Sequence, residues 1–410
     1  MKIRYSQPLE LVVRGATVGL LLGLVFAAGF FTRDIMSSPT TSSVRAQDDP
    51  TALQFTLLDE VHQLVVNNFY TELPPNQQLQ YAAIRGYLGA LGDPYSFFNE
   101  PPVARSESDA LAGRYGGIGV EIKRNVLGEI ELFPYPDSPA FRAGIRDGDI
   151  LLAINGEPVT PEQNLDVIRQ ALRGEVTDSG NGVEITVRSI ASNEEVSYQI
   201  PFEEIRIPSV LWRMLPDEPL IGYINIMSFT SRTPDEISEA VNELNEQGMQ
   251  ALILDLRNNS GGLLQESIDV ADAFLEEGII VIEQSRVSGE VIEVATEGSI
   301  IPPDMPLIIL VNDRTASASE VVAGALQQND RALLIGQRTR GKGSVQYIFG
   351  LSDGSSFRIT GAIWLTPNRT PLDGVGLTPD IEMIPDINGR EVELDEAIRQ
   401  IREQIIVAQD

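Results

Sequence analysis

The 410-residue chain has no cysteine and one histidine, His62. Without cysteine there are no disulfides, no zinc–thiolate sites and no thiol nucleophile. The lone histidine precedes the serine cluster around Ser317 by 255 residues. That separation disfavours a Ser-His-Asp triad, and no HExxH metallopeptidase signature occurs. Lysine is nearly as scarce: Lys2, Lys123 and Lys342 stand against 27 arginines. A desolvated lysine can give up its proton, whereas arginine effectively cannot, so Lys342 marks a place where chemistry rather than charge is wanted. The net charge of -29 argues against nucleic acid as a partner, since phosphate binding needs clustered Lys and Arg. Neither GxxxxGK[ST] nor GxGxxG is found, and no cofactor or metal is expected.

Long apolar runs are also missing, with one exception. Lys2, Arg4 and Arg14 precede 17 uncharged residues, 15–31. The small-x-small site Ala27-Ala28-Gly29 lies inside that run, which favours an uncleaved anchor over a cleaved signal peptide. Positive charge ahead of the run places the N-terminus in the cytoplasm and the remainder outside. A signal-anchor or transmembrane segment is therefore expected in 1–36, with a Ser/Thr/Pro-rich linker in 37–51. This puts the protein in the cell envelope, on the extracytoplasmic side of the membrane. Helical spacing of Leu57, Leu58, Val61, Leu64 and Val65, and of Leu79, Ala82, Ala83 and Tyr87, predicts a helical region over 52–110.

Segment 111–207 changes character. Gly116-Gly117-Ile118-Gly119-Val120 opens an alternating strand, and Ser138-Pro139-Ala140 starts a short helix. The strand 150–154 ends in an Asn155-Gly156 turn, and Thr160 is expected to cap a following helix with Pro161 first and Gln163 third. Backbone N–H groups of such a glycine-rich turn can capture a terminal carboxylate while a strand edge pairs with the peptide. The order of these pieces resembles a bacterial, protease-associated PDZ domain. Gly117, Ile118 and Gly119 are then the expected carboxylate-binding residues.

Segment 208–385 alternates strands and helices, with Gly261-Gly262 at a strand-to-helix turn, and predicts an α/β core. A charged surface helix is expected over 386–410. The chain thus reads as an α/β (α+β) multidomain protein. Within the core, an apolar strand leads to Thr315, Ser317 and Ser319, and a helix follows. A second strand leads to Gly341-Lys342-Gly343. Two plain readings compete with chemistry here. Ser317 with Glu320 fits a capping box, and Lys342 fits a surface loop between glycines. A serine hydrolase built from this chain would, however, have to use lysine as its base, and Lys342 is the lysine in the core.

From Asp59 to Asp380 the chain resembles the carboxyl-terminal processing (tail-specific) serine peptidases, a Ser–Lys family with an inserted PDZ domain. The resemblance rests on AAIRGYLGALGDPYSFF, GGIGV, SPAFRAGIRDGDILLAING, GYINIMSF, LILDLRNNSGG, VNDRTASASEVVAGALQ, GQRTRGKGSVQ and TPNRTPLDGVGLTPDIEM, in the family's order. It implies a serine endopeptidase acting at or near protein C-termini, with the PDZ domain binding the substrate's C-terminus. Ser317 matches the nucleophile, Lys342 the general base and Gln346 the residue that orients the lysine. The N–H groups of Gly262 and Ala318 match the oxyanion hole. Ser260, Tyr95 and Thr315 depart from the family's usual proline, histidine and serine without touching the dyad. Implied partners are proteins or peptides with exposed C-termini and the membrane, with homo-oligomerisation left open. The rival reading is a non-catalytic, membrane-tethered peptide-binding protein that keeps a peptidase-like core.

Overall fold

The computed structural model describes residues 55–174, 176–177, 180–384, 386 and 390–409. The expected anchor and linker lie outside the described residues. Among the described residues no helix is long and apolar enough to cross a membrane. The chain divides into two units, Met1–Pro74 and Pro75–Asp410. In the first, α1 (Thr56–Asn68) exposes Leu57, Leu58, Val61 and Leu64, and His62 stands exposed among them.

The second unit begins with α2 (Asn76–Gly89), β1 (Phe97–Asn99) and α3 (Pro101–Ala112). Tyr81, Leu88 and Phe98 form their small core. Helix α3 lies almost wholly within the helical region expected over 52–110, although no periodic pattern singles it out. It starts on two prolines and ends at Gly113, whose φ of 64° gives a left-handed C-cap.

Next come β2 (Arg114–Gly117), β3 (Val120–Arg124), β4 (Ile130–Pro134), α4 (Pro139–Ala143), β5 (Asp149–Ile154) and β6 (Glu157–Pro158). Then follow α5 (Leu165–Ala171), β7 (Gly182–Arg188), β8 (Glu195–Pro201) and β9 (Glu203–Arg206). Strands β3-β4-β5-β7-β8 make an antiparallel sheet, and β2 pairs with β9 so that both ends of the segment meet. Ile118, Leu132, Ile145, Ile185 and Ile200 fill its core. One expectation is corrected: α5 starts at Leu165, capped by the Asn164 side chain accepting from Asp166 N–H at 2.7 Å. Thr160 to Gln163 forms a turn instead. There Thr160 N–H donates to Gln163 Oε1, while Arg124 reaches the Pro161 and Gln163 carbonyls. The asparagine, one helical turn later, outcompetes the threonine as cap.

The core follows as β10 (Val210–Leu215), β11 (Glu218–Ile226), α6 (Thr233–Glu246), β12 (Ala251–Asp255), α7 (Leu264–Asp272), β13 (Ile279–Ser285), β14 (Gly289–Val294), β15 (Leu307–Val311) and α8 (Ala318–Gln328). It ends with β16 (Leu333–Gly336), β17 (Ser344–Gly350), β18 (Ser356–Leu365), β19 (Ile381–Glu382) and α9 (Val392–Gln409). One sheet runs β10-β11-β12-β15-β16-β19, parallel from β11 onward. Every residue of β12 and β15 is buried, as a parallel sheet covered on both faces requires. Leu252, Leu254, Ile309 and Val311 meet α6, α7 and α8, while Ala251, Ile253, Ile308 and Leu310 meet α9. A second sheet runs β1-β18-β13-β14, with β17 also on β18. Turns at the carboxyl ends of β12 and β15 are therefore held by a core that cannot shift.

Ile309 lies at the centre of that core with no exposure. Ile309→Ala is expected to cost about 2–5 kcal/mol of stability, read as a lower denaturant midpoint with an unchanged slope.

Candidate active site

Ser317 stands where β15 passes into α8. Its φ of 57° and ψ of -122° form a backbone conformation that non-glycine residues avoid, and the surrounding bonds impose it. Thr315 Oγ1 donates to Leu256 O at 2.9 Å. Ala316 N–H and Ser319 Oγ both donate to Asn259 O at 3.0 Å. The serine turn is thereby tied to the turn that follows β12.

That second turn carries Gly261 and Gly262, with φ of 105° and 152°. Gly262 lies so close to β11's continuation that a Cβ there would meet Phe229 O at 2.1 Å. A Cβ on Gly261 would lie 2.9 Å from Ser317 Cβ and 3.1 Å from Ala318 N. Only glycine permits this approach. Among the described residues neither Gly262 N–H nor Ala318 N–H has a protein acceptor. Asn259 Oδ1 takes Gly261 N–H at 2.9 Å and keeps the turn open.

Lys342 lies between β16 and β17. The flanking glycines do not make a loose loop, because Gly341 (φ 78°) lies against the backbone of Leu372, Val375 and Gly376. Glu320, fully buried in the first turn of α8, holds this loop to the serine turn. Its carboxylate accepts from Ser317 N–H (2.8 Å), Thr339 Oγ1 (2.5 Å), Gly341 N–H (2.8 Å) and Lys342 N–H (2.9 Å). The expected capping glutamate is thus present, and it also positions the lysine segment. No part of the sequence pattern announces that second role.

Ser317, Lys342 and Gln346 line one cavity of about 800 Å³ together with Gly262. Ser317 and Lys342 side chains are not hydrogen-bonded to each other. Lys342 Nζ lies 5.3 Å from the centroid of the Tyr95 ring. Gln346 sits at a bulge in the β17–β18 pairing and donates from Nε2 to Ser344 Oγ at 2.8 Å. Burial pushes the Lys342 amine below the ordinary lysine range. The Arg358 and Arg340 guanidiniums push it in the same direction, against a smaller opposing pull from Glu320. Ala110 and Leu111 of α3, Arg314, Arg340, Arg358 and Tyr95 also line the cavity. Ala110, Leu111 and Arg358 lie outside the motifs of the sequence, while Tyr95, Arg314 and Arg340 lie within them with no cavity role to be read from residue type.

Gly117, Ile118 and Gly119 come together at the start of β3, the edge strand of the PDZ-like sheet. Ile118 N–H donates to Leu172 O at 3.3 Å, and Gly117 bridges to Arg173. The groove between β3 and α5 is consequently narrowed to about 10 Å³.

Residues 220–383 match the model of peptidase family S41, and residues 134–179 match that of a PDZ domain. The chain is 31% identical over 364 residues to a "Carboxy-terminal-processing protease" of Bartonella bacilliformis, covering 87% of this chain and 81% of that protein. It is 33% identical over 318 residues to a "Probable CtpA-like serine protease" of Staphylococcus aureus, covering 77% of this chain and 62% of that protein. Among solved structures, a photosystem II D1 C-terminal processing protease is 31% identical with a TM-score of 0.46, over 81% of this chain and 89% of that one.

Glu320→Gln would replace an oxygen that accepts two hydrogen bonds with a donor facing donors. Unfolding stability is expected to fall by about 1–3 kcal/mol. Hydrogen exchange of the Gly341 and Lys342 amides should accelerate in the same variant; unchanged protection there would show that the carboxylate does not hold the loop.

Proposed function

The chain belongs to the carboxy-terminal-processing serine proteases of peptidase family S41, and from that premise we propose that it cleaves polypeptides near their C-termini with Ser317 and Lys342. The observation that carries this reading is the shared cavity. It brings a strained serine, a desolvated lysine and the open N–H of Gly262 to one place.

Each group has a step. Lys342 Nζ, swung from the Tyr95 ring toward Ser317, takes the hydroxyl proton as Oγ attacks the scissile carbonyl carbon. The oxyanion that forms is received by the N–H groups of Gly262 and Ala318, a contribution of roughly 3 kcal/mol per donor. The Lys342 ammonium then returns the proton to the departing amine as the C–N bond breaks. Water, deprotonated by Lys342, attacks the acyl-serine carbonyl, and the Lys342 ammonium returns that proton to Ser317 Oγ as the C–O bond breaks. Gln346 orients the amine through a neutral hydrogen bond, which adds no charge to raise its pKa. The PDZ domain takes the substrate's C-terminal carboxylate at Gly117, Ile118 and Gly119, once Leu172 releases Ile118 N–H. The uncharged run 15–31 behind Lys2, Arg4 and Arg14 supports a membrane anchor and an extracytoplasmic site of action.

Purified protein is expected to cleave an unstructured polypeptide, and Ser317→Ala and Lys342→Arg should each abolish cleavage while leaving the fold intact by circular dichroism. Activity surviving either change would sink the dyad. The base must be neutral to act, so kcat/KM should rise with pH along a limb below the ordinary lysine value of 10.5. Arg340→Gln removes a charge that disfavours the ammonium, and should move that limb to higher pH.

A further inference from the structure

The chain carries 59 acidic residues, yet no carboxylate lines the cavity around Ser317. Its charged lining is entirely cationic: Arg314, Arg340, Lys342 and Arg358. Elsewhere in the described residues arginines are mostly held by neighbouring acids, as Arg85, Arg142, Arg173 and Arg188 are. Arg358 follows that rule through Glu107. Arg314 and Arg340 do not: both are exposed, and no acid within the described residues pairs with them. Their backbones flank the nucleophile. Arg314 is three residues before Ser317, and Arg340 N–H donates to Thr315 O at 3.0 Å.

Tuning of the lysine explains part of this arrangement. Arg358 and Arg340 both disfavour the ammonium of Lys342, and they are the arginines that do so most. Two unpaired guanidiniums lining one cavity can attract an anion supplied from outside the chain, and carboxylate is the anion that polypeptides carry. We propose that the cavity selects substrates bearing a carboxylate within a few residues of the scissile bond, with Arg314 and Arg340 as the specificity-determining residues. The carboxylate is an Asp or Glu side chain or a nearby free C-terminus. This deepens the peptidase reading above and rests on it.

Salt alone is a poor probe. Raising it weakens the local attraction and also relieves the long-range repulsion between an acidic protein and an acidic peptide. The test therefore compares ratios. Amidated peptides differing only by Asp or Asn within three residues of the cut are assayed, and a neutral peptide is compared as free acid and amide. Each partly exposed guanidinium should contribute about two- to fivefold, so wild-type enzyme should prefer the acidic member by roughly tenfold in kcat/KM. In R314Q/R340Q the ratio should fall to about one, and in R314E/R340E it should favour a Lys-containing peptide. An arginine-dependent Asp/Asn ratio identifies a side-chain carboxylate, and an arginine-dependent acid/amide ratio identifies the terminus. A wild-type ratio of one for both pairs, or a preference that survives R314Q/R340Q, overturns the inference. Binding of the same peptides to Ser317→Ala enzyme, with and without R314Q/R340Q, reads the charge preference without turnover. Absence of all cleavage would then sink the peptidase reading, while the arginine inference stands or falls on binding.

Discussion

One buried carboxylate ties the serine turn to the lysine segment. Burying a carboxylate costs several kcal/mol unless its oxygens are satisfied, and Glu320 is satisfied by four donors from the serine turn and the lysine segment. Its place in the first turn of α8 adds the favourable field of the helix N-terminus. The two segments reach the site from different crossovers of the parallel sheet, and their relative position sets the distance that a proton must cross. Displacing either by about 1 Å would misalign the reacting groups by an amount that matters chemically. The anchoring is therefore as much a part of the site as the serine and lysine.

Much of the fold could be read from residue pattern, because the core elements are strongly periodic or wholly apolar. Strand β15 is a continuous run of Leu, Ile and Val, β12 carries Leu252-Ile253-Leu254 at its centre, and α6 presents Ile237, Ala240, Val241 and Leu244 on one face. Scarcity pointed to the proposed dyad, since one core lysine, no cysteine and a distant histidine leave few bases to choose from. What escaped was whatever depends on distant contact. Helix α3 has a run of polar residues, Arg105 to Asp109, at its middle, and its Ala110 and Leu111 matter only because the chain folds them over the cavity. Thr160 and Asn164 are both good caps by type, and only the packed helix decides between them. Glu320 showed its local half as a capping residue. Its bonds to Thr339, Gly341 and Lys342 span 19 to 22 residues and follow no periodic rule.

Lys342 is held between opposed influences. Burial and two arginines favour the neutral amine, and Glu320 opposes them weakly because its oxygens already face four donors. Tyr95, which stands where the family's usual residue is histidine, offers the face of its ring to the amine. A ring face attracts the ammonium rather than the amine, so it gives the protonated lysine a resting place off the nucleophile.

The choice of arginine at positions 314, 340 and 358 then has a physical reason. A lysine at any of them could lose its charge at alkaline pH, and the field on Lys342 would then change as the pH rose. Guanidinium remains charged at any such pH. The depression of the Lys342 pKa is therefore held constant, and so is the attraction for a substrate carboxylate. The same fixed charges act against the repulsion of an acidic molecule at the one cavity where a substrate must come close. A nearly lysine-free chain is thus consistent with its single core lysine: one amine in the cavity titrates, and every other cation around it stays fixed.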